Sequence, residues 1–417
     1  MAHLLIIDLP DETDTELLQA AIARGDRYTF VSGDLAPYRR QPAVQALLDR
    51  ARARIEVPGL ASAALAQAVL ARHAGQPFDA VLCGAGKHHA DIARLAQRLG
   101  CIFLNPTTAA LLRDPRQWRQ RLALRGLPQH DPGDAAQPLD ALAAAGQGRV
   151  IAYDTLTQAG RHRLLGVHDP LWQAPPSTAL RGCAFTPHGG SARGSPDAIE
   201  RYLGAVLDAL DVDCGATHTE LVITARGLQV ARITAGLQGG RLPRLLAYAL
   251  GRSLQADLIA LHCGQPLPVG SGATPQVAVL RTFEADRDGL LDEVVLPTWQ
   301  DPAIRCVDIA RQPGQPVGPP LSDADSLGCV MVCGPSRADA EDLADRYVAR
   351  TLVKLRPAAA ADSLSPGLEL AQSDTTVAEL PAQPPATIRP WPPNPLSSPP
   401  LPLDPSRPLA ACWKAAH

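Results

Sequence analysis

Lysine is almost missing from this chain. Lys87, Lys354 and Lys414 are the only three among 39 basic residues; the other 36 are arginine. A high-GC coding sequence produces that bias alone, yet it limits the chemistry available. A planar guanidinium can supply charge, but not the compact point-charge geometry of an ammonium. Between residues 88 and 353 there is no lysine at all. Long hydrophobic runs are also missing: none reaches the ~18 residues of a membrane span. The first apolar run, Leu4–Ile7, ends at Asp8 and Pro10 and reads as a strand rather than a leader. A cytoplasmic location is therefore expected. Net charge is only −3, which implies no strong pull on nucleic acid or an anionic membrane. The nine cysteines form no Cys-x-x-Cys pair, and neither Cys329 with Cys333 nor His262 with Cys263 has a second ligand pair at zinc spacing. Reduced, mostly buried thiols are expected.

A phosphate loop is lacking as well. Gly84-Ala85-Gly86-Lys87 follows an apolar run, but a Walker A loop needs GxxxxGK followed by Ser or Thr, and His88 stands there. An ordinary strand-to-helix turn at a sheet's carboxyl edge is the simpler reading, and open α/β sheets also bind ligands at that edge. The other glycine-rich loop, Pro187–Gly194, carries His188 and Arg193. It is either an anion nest or a connection into a helix over Pro196–Leu210.

What is present begins with alternation. Leu4–Asp8, Tyr28–Ser32, Ala80–Cys83 and Cys101–Leu104 read as strands, and Thr15–Ala23, Leu60–His73 and His88–Leu99 as helices. This pattern predicts a parallel α/β layer of Rossmann-like type over residues 1–112. Asp114-Pro115 is a good helix start. Ile151–Thr155 and Arg161–Val167 form a hairpin around Gln158-Ala159-Gly160. Residues 276–356 read as an α+β module with strands Val277–Leu280, Glu293–Leu296, Val307–Ile309 and Cys329–Cys333. A helix Arg337–Leu355, capped by Ser336, follows. From Pro357 on, 14 of 61 residues are proline. That tail cannot bury enough apolar surface to order itself; Trp391 and Trp413 are candidate docking anchors within it.

The most informative stretch runs from His218 to Pro243. Leu221–Ile223 and Leu228–Ile233 flank an Ala-Arg-Gly turn and predict a β-hairpin, followed by the pair Gly239-Gly240 and a helix over Leu242–Leu254. Together with the segment Asn105–Pro128 and the phrases PGQPVGPP and LGCVMVCG, this layout resembles the ATP-grasp superfamily in its carboxylate–amine (L-amino acid) ligase branch. The resemblance implies an α/β fold: a Rossmann-like N-terminal domain (1–112), a reduced ATP-grasp-type α+β domain (113–275), a C-terminal α+β module (276–356) and the proline-rich tail (357–417).

In that family the hairpin presents oxygens to the magnesium ions of ATP. Glu220 matches the first metal carboxylate. The second strand of the family carries a Glu, then an Asn two residues on, then an Arg; here those positions are Arg232, Thr234 and Gly236. Mg²⁺ takes hard oxygen ligands, and two like charges ~4 Å apart repel by about 4 kcal/mol at an effective dielectric of ~20. Arg232 is expected to pair with Glu220 across the hairpin and fill the vacated metal position. Asp114 is followed by Pro115 where the family has lysine. The Ala/Pro/Asp/Gly stretch His130–Gly148 replaces a lysine-bearing strand and small lid.

Two functions follow from the resemblance. One is a degenerate, non-catalytic homologue in a small-peptide or siderophore pathway. It would partner an active ligase, self-associate, or bind a small carboxylate or amino acid, with no cofactor. The alternative is an active ligase using ATP and Mg²⁺ through an acyl phosphate, with Glu220 on the metal, Arg232, Arg241 and His218 as catalytic residues, and Gly239-Gly240 beside the cofactor. A ligand-binding or regulatory Rossmann-type protein unrelated to ligation is a third class. His218 could orient a substrate carboxylate or merely be hydrogen-bonded at a strand start.

Overall fold

The structure is a computed structural model. It describes residues 1–357 except 11–13, 61–62, 85, 131–148, 174–176, 178, 188–195, 225–226, 268–275 and 300. The glycine-rich loop after Pro187, the stretch after His130 and the proline-rich tail beyond Pro357 therefore lie outside the described residues.

In the first 124 residues the elements are β1 (His3–Ile7), α1 (Glu16–Ala23), β2 (Arg27–Ser32), α2 (Ala36–Arg39), α3 (Pro42–Leu48) and β3 (Ala53–Glu56). They continue with α4 (Ala63–Gly75), β4 (Ala80–Cys83), α5 (His89–Leu99), α6 (Pro106–Arg113) and α7 (Pro115–Leu124). The strands form a parallel sheet in the order β3-β2-β1-β4. Because side chains alternate along a strand, β1 sends Leu4 and Ile6 to one apolar layer with α1 and α3. It sends Leu5 and Ile7 to the opposite layer with α4 and α5. The expected Rossmann-like alternation is thus present, with one added edge strand. β3 reads ARIE and is half-exposed, so its sequence carries little hydrophobic signal.

Cys101–Leu104 forms no strand, contrary to expectation. Side chains take up backbone groups around it: the Ile102 carbonyl accepts from the His262 ring at 3.0 Å, and the Asn105 amide donates to Asp213 at 3.3 Å. Asp114 does cap α7, its carboxylate accepting from the Arg116 amide at 2.9 Å.

The sheet's carboxyl edge is tightly built. Asp8 adopts a left-handed φ of 58°, and Gly84 lies against it so closely that a Cβ there would fall 2.7 Å from the Asp8 carbonyl oxygen and the Leu9 backbone. Backbone cannot step aside as a flexible side chain can. Gly84→Ala is expected to cost ~1–3 kcal/mol, seen as a lowered urea midpoint with unchanged slope.

The remaining elements are β5 (Arg149–Gln158), β6 (Arg161–Trp172), β7 (Leu180–Pro187), α8 (Pro196–Ala209), β8 (Cys214–Thr224), β9 (Gly227–Ala235), α9 (Leu242–Leu250) and α10 (Leu254–His262). After them come β10 (Val277–Phe283), β11 (Gly289–Val295), β12 (Ile304–Ile309), β13 (Pro316–Val317), β14 (Gly328–Gly334), α11 (Arg337–Ala349) and β15 (Leu352–Arg356). Eight strands make one antiparallel sheet in the order β12-β14-β10-β7-β6-β5-β8-β9, and β13-β11-β15 make a smaller one. The strands β10, β12 and β14 of the C-terminal region therefore continue the sheet of the middle region.

Two expected helices are shorter than their patterns. Leu242–Leu254 is broken after Leu250, where Gly251 takes φ 65° and closes α9 in the left-handed conformation that favours glycine. Ser253 then caps α10 by accepting from the Ala256 amide at 3.2 Å. Arg337–Leu355 ends at Ala349, and LVKLR pairs with β11 as β15. Its alternating half-buried pattern is that of a strand.

One face of the large sheet is covered by α6, α7 and α8 around Trp118, Leu122, Leu203 and Leu207. The other is covered toward its middle by α9 and α10. That second face is left open near β8 and β9, opposite the carboxyl edge of the parallel sheet.

Candidate functional site

A cleft of about 1860 Å³ occupies that opening. Asp8, Ser32, Tyr38 and Gly84 line one wall, and His218, Glu220, Arg232 and Thr234 the other. The second wall follows from the register of the hairpin. Glu220 pairs with Arg232 and His218 with Thr234 across β8 and β9. With a strand period of two, His218 and Glu220 share one face while Leu221 points into the core behind the sheet.

The expected contact between Arg232 and Glu220 is present: the Arg232 guanidinium donates to Glu220 Oε1. Glu220 is 7 % exposed, and its second oxygen has no hydrogen-bond partner. Burial pushes its carboxyl up, but the nearby His218 ring and the hydrogen-bonded Arg232 guanidinium overcome that and hold it below the usual carboxylate range.

Behind Glu220 the side chains continue inward. His218 Nε2 lies 3.8 Å from Glu220 Oε1, and its Nδ1 donates to Asp154 Oδ1 at 3.0 Å. The other oxygen of Asp154 accepts from His168 Nε2, and His168 Nδ1 is 3.7 Å from Cys183 Sγ. Asp154, His168 and His218 are each at most 3 % exposed. Burial alone would push His218 down and Asp154 up. The mutual charges win, raising His218 to about 9 and holding Asp154 well below the carboxylate range. Sequence reading singled out His218 but missed Asp154 and His168.

The other expected site residues are placed differently. Gly239 reaches the cleft lining, and Gly240, at φ 72°, provides the turn into α9. Arg241 turns away at the first residue before α9: its Nε is 3.3 Å from Asp308 Oδ2 and its Nη1 3.5 Å from Ser326 Oγ. It thereby fastens α9 to β12. At Gly236 a Cβ would lie 2.8 Å from the His89 ring, and φ is 95°. The family's arginine has neither the conformation nor the room there.

A magnesium ion is implied by the fold family, so the donor set can be tested against it. Mg²⁺ is held by carboxylates together with substrate phosphates. Here one oxygen of the single matching carboxylate is taken by a guanidinium, and the facing position is cationic. These residues do not fit the ion, and no chemical step is derived through it.

Between the two walls, His262 stacks on Phe103 at 5.1 Å and donates from Nδ1 to the Ile102 carbonyl at 3.0 Å. Burial pushes its imidazole down to about 4, against about 6.5 in an unfolded chain. The neutral ring is favoured in the folded state, so its contribution is complete above pH ~6.5 and is lost as pH falls toward ~4. Going from pH 7 to pH 5 is expected to cost ~2 kcal/mol through this group. His262→Gln should flatten that part of the pH–stability curve measured by urea unfolding.

A parallel α/β sheet facing an antiparallel sheet across such a cleft defines an ATP-grasp-like fold. The comparisons agree. The L-amino acid ligase of Bacillus licheniformis superposes with a TM-score of 0.69 at 15 % identity, covering 85 % of this chain and 99 % of that one. The phosphoribosylglycinamide synthetase of Anaerococcus prevotii gives 0.67 at 12 %, covering 85 % and 100 %. Residues 281–356 match the family described as L-amino acid ligase C-terminal domain 2. The chain thus shares the fold of these ligases, and its residues 281–356 match one of their C-terminal domains. An uncharacterised protein of Sinorhizobium fredii is 27 % identical over 193 residues, which is 44 % of this chain and 38 % of that protein. The chain therefore matches well under half of that relative's length. Among the described residues no helix is long and apolar enough to cross a membrane.

Proposed function

We propose that this protein is a non-catalytic member of the ligase lineage whose cleft holds a small carboxylate or amino acid without Mg²⁺–ATP. The observation that carries the reading is the Arg232 guanidinium on Glu220, a cation of the chain itself beside the carboxylate that a divalent ion would need. Phosphoryl transfer depends on positioning and charge neutralisation, so losing the facing carboxylate removes much of its driving machinery. The lack of lysine between residues 88 and 353 points the same way. The cleft itself is retained, and both its walls carry polar groups. Such a protein acts by binding, alone or beside an active ligase in small-peptide or siderophore biosynthesis.

A second reading, an active ATP-dependent carboxylate–amine ligase, draws on the unpartnered Glu220 Oε2. An assay of ADP release from the full chain across a panel of amino acid pairs separates the two. The proposed reading expects no release above the protein-free rate, together with a thermal upshift from at least one amino acid or small carboxylate. Amino acid-dependent ADP release would establish the second reading.

A further inference from the structure

The buried side chains behind the cleft have a use that neither reading above requires. Asp154, His168 and His218 come from β5, β6 and β8, three adjacent strands, and meet because Asp154 stands opposite His218 in the register of β5 with β8. A bulge between Asp154 and Thr155 shifts the pairing with β6. Each supplies one metal-ligating atom, and these atoms all lie within 4.8 Å of one another.

We propose that these three side chains form a site for a borderline divalent transition metal such as Zn²⁺, separate from the magnesium position at Glu220. Two imidazoles and one carboxylate are a donor set suited to such an ion. The surroundings match it too. A metal-bound histidine commonly directs its other ring nitrogen to a carboxylate, which fixes the ring and its tautomer. His218 is oriented for this: Nδ1 faces the three-residue centre, and Nε2, which has no hydrogen-bond partner, points toward Glu220 Oε1 3.8 Å away. Arg232 in turn holds Glu220. Glu220 becomes the outer support of the ion rather than its ligand. His218 also lines the cleft, so the ion would be reached from there. Entry of the ion releases the imidazole protons now directed at Asp154, so affinity falls with acidity.

The test uses the full chain, stripped with chelator, equilibrated with Zn²⁺ or Co²⁺ and desalted, with metal content read by mass spectrometry and Co²⁺ by its visible bands. The proposal expects one ion per chain and Co²⁺ bands of a low-coordinate site. His168→Gln should lose both. Glu220→Gln should keep the ion at ~10–100-fold weaker affinity. Wild-type protein that retains no metal and gives only the spectrum of aqueous Co²⁺ would overturn the proposal, and needs no variant to fold. So would loss of all metal in Glu220→Gln with retention in His168→Gln, which would return the ion to the magnesium position. ATP binding is not part of this readout, so the proposal and the non-catalytic reading fail independently.

Discussion

Asp154→Asn is expected to destabilise the metal-free protein by about 3–5 kcal/mol, the cost of breaking a buried ion pair by removing one partner. The carboxylate is 1 % exposed and joins two rings that are themselves 1 % and 3 % exposed. With its charge gone, His218 must either stay protonated in an apolar interior or give up a proton it now holds up to about 9. An amide cannot accept from both rings with both of its terminal atoms, so one imidazole N–H loses its acceptor. Urea unfolding at pH 7 reads the effect. A companion Asp154→Asn/His218→Gln double variant should be destabilised by less than the sum of the single changes, because the two residues are in contact. A loss below ~1 kcal/mol for Asp154→Asn would mean that the pair is not formed as described.

The second large effect is a gain. Arg232→Glu with Thr234→Asn restores the family's carboxylate and amide on β9. The register already places position 232 opposite Glu220. Two facing carboxylates ~4 Å apart repel by about 4 kcal/mol at a dielectric of ~20. Because the Arg232 side chain is 58 % exposed, screening should leave ~1–2 kcal/mol of destabilisation in chelator. Millimolar Mg²⁺ should then recover that stability in the double variant and leave the parent unchanged. Thermal melts with and without Mg²⁺ measure this directly. A parent protein already stabilised by Mg²⁺ would contradict the reading of Arg232 as a resident cation.

How much of this was legible beforehand depends on distance along the chain. The contact of Arg232 with Glu220 could be read because the two strands are joined by a short turn, so strand alternation nearly fixes which residues face each other. The parallel layer could be read because β1 and β4 are near-continuous apolar runs and β2 carries Tyr28, Phe30 and Val31. Asp154 and His168 could not be placed, since nothing local states that β5 lies between β6 and β8. A signal was there: Asp154 follows the apolar run Val150–Tyr153, and His168 follows Leu164–Val167, and a charged residue inside a buried strand needs a partner. The two misread helices failed for a different reason. A helical pattern of leucines continued through Gly251, and the short strand LVKLR is too brief to distinguish from a helix end by period alone. Arg241 was placed by charge type, but its geometry serves β12.

The most direct test of the account is isothermal calorimetry of the full chain with ATP, with and without Mg²⁺. A cleft whose only matching carboxylate is held by Arg232 predicts no binding that depends on Mg²⁺, even at millimolar ATP. Saturable binding that appears only when Mg²⁺ is added would contradict it, and would make Glu220 a working metal ligand.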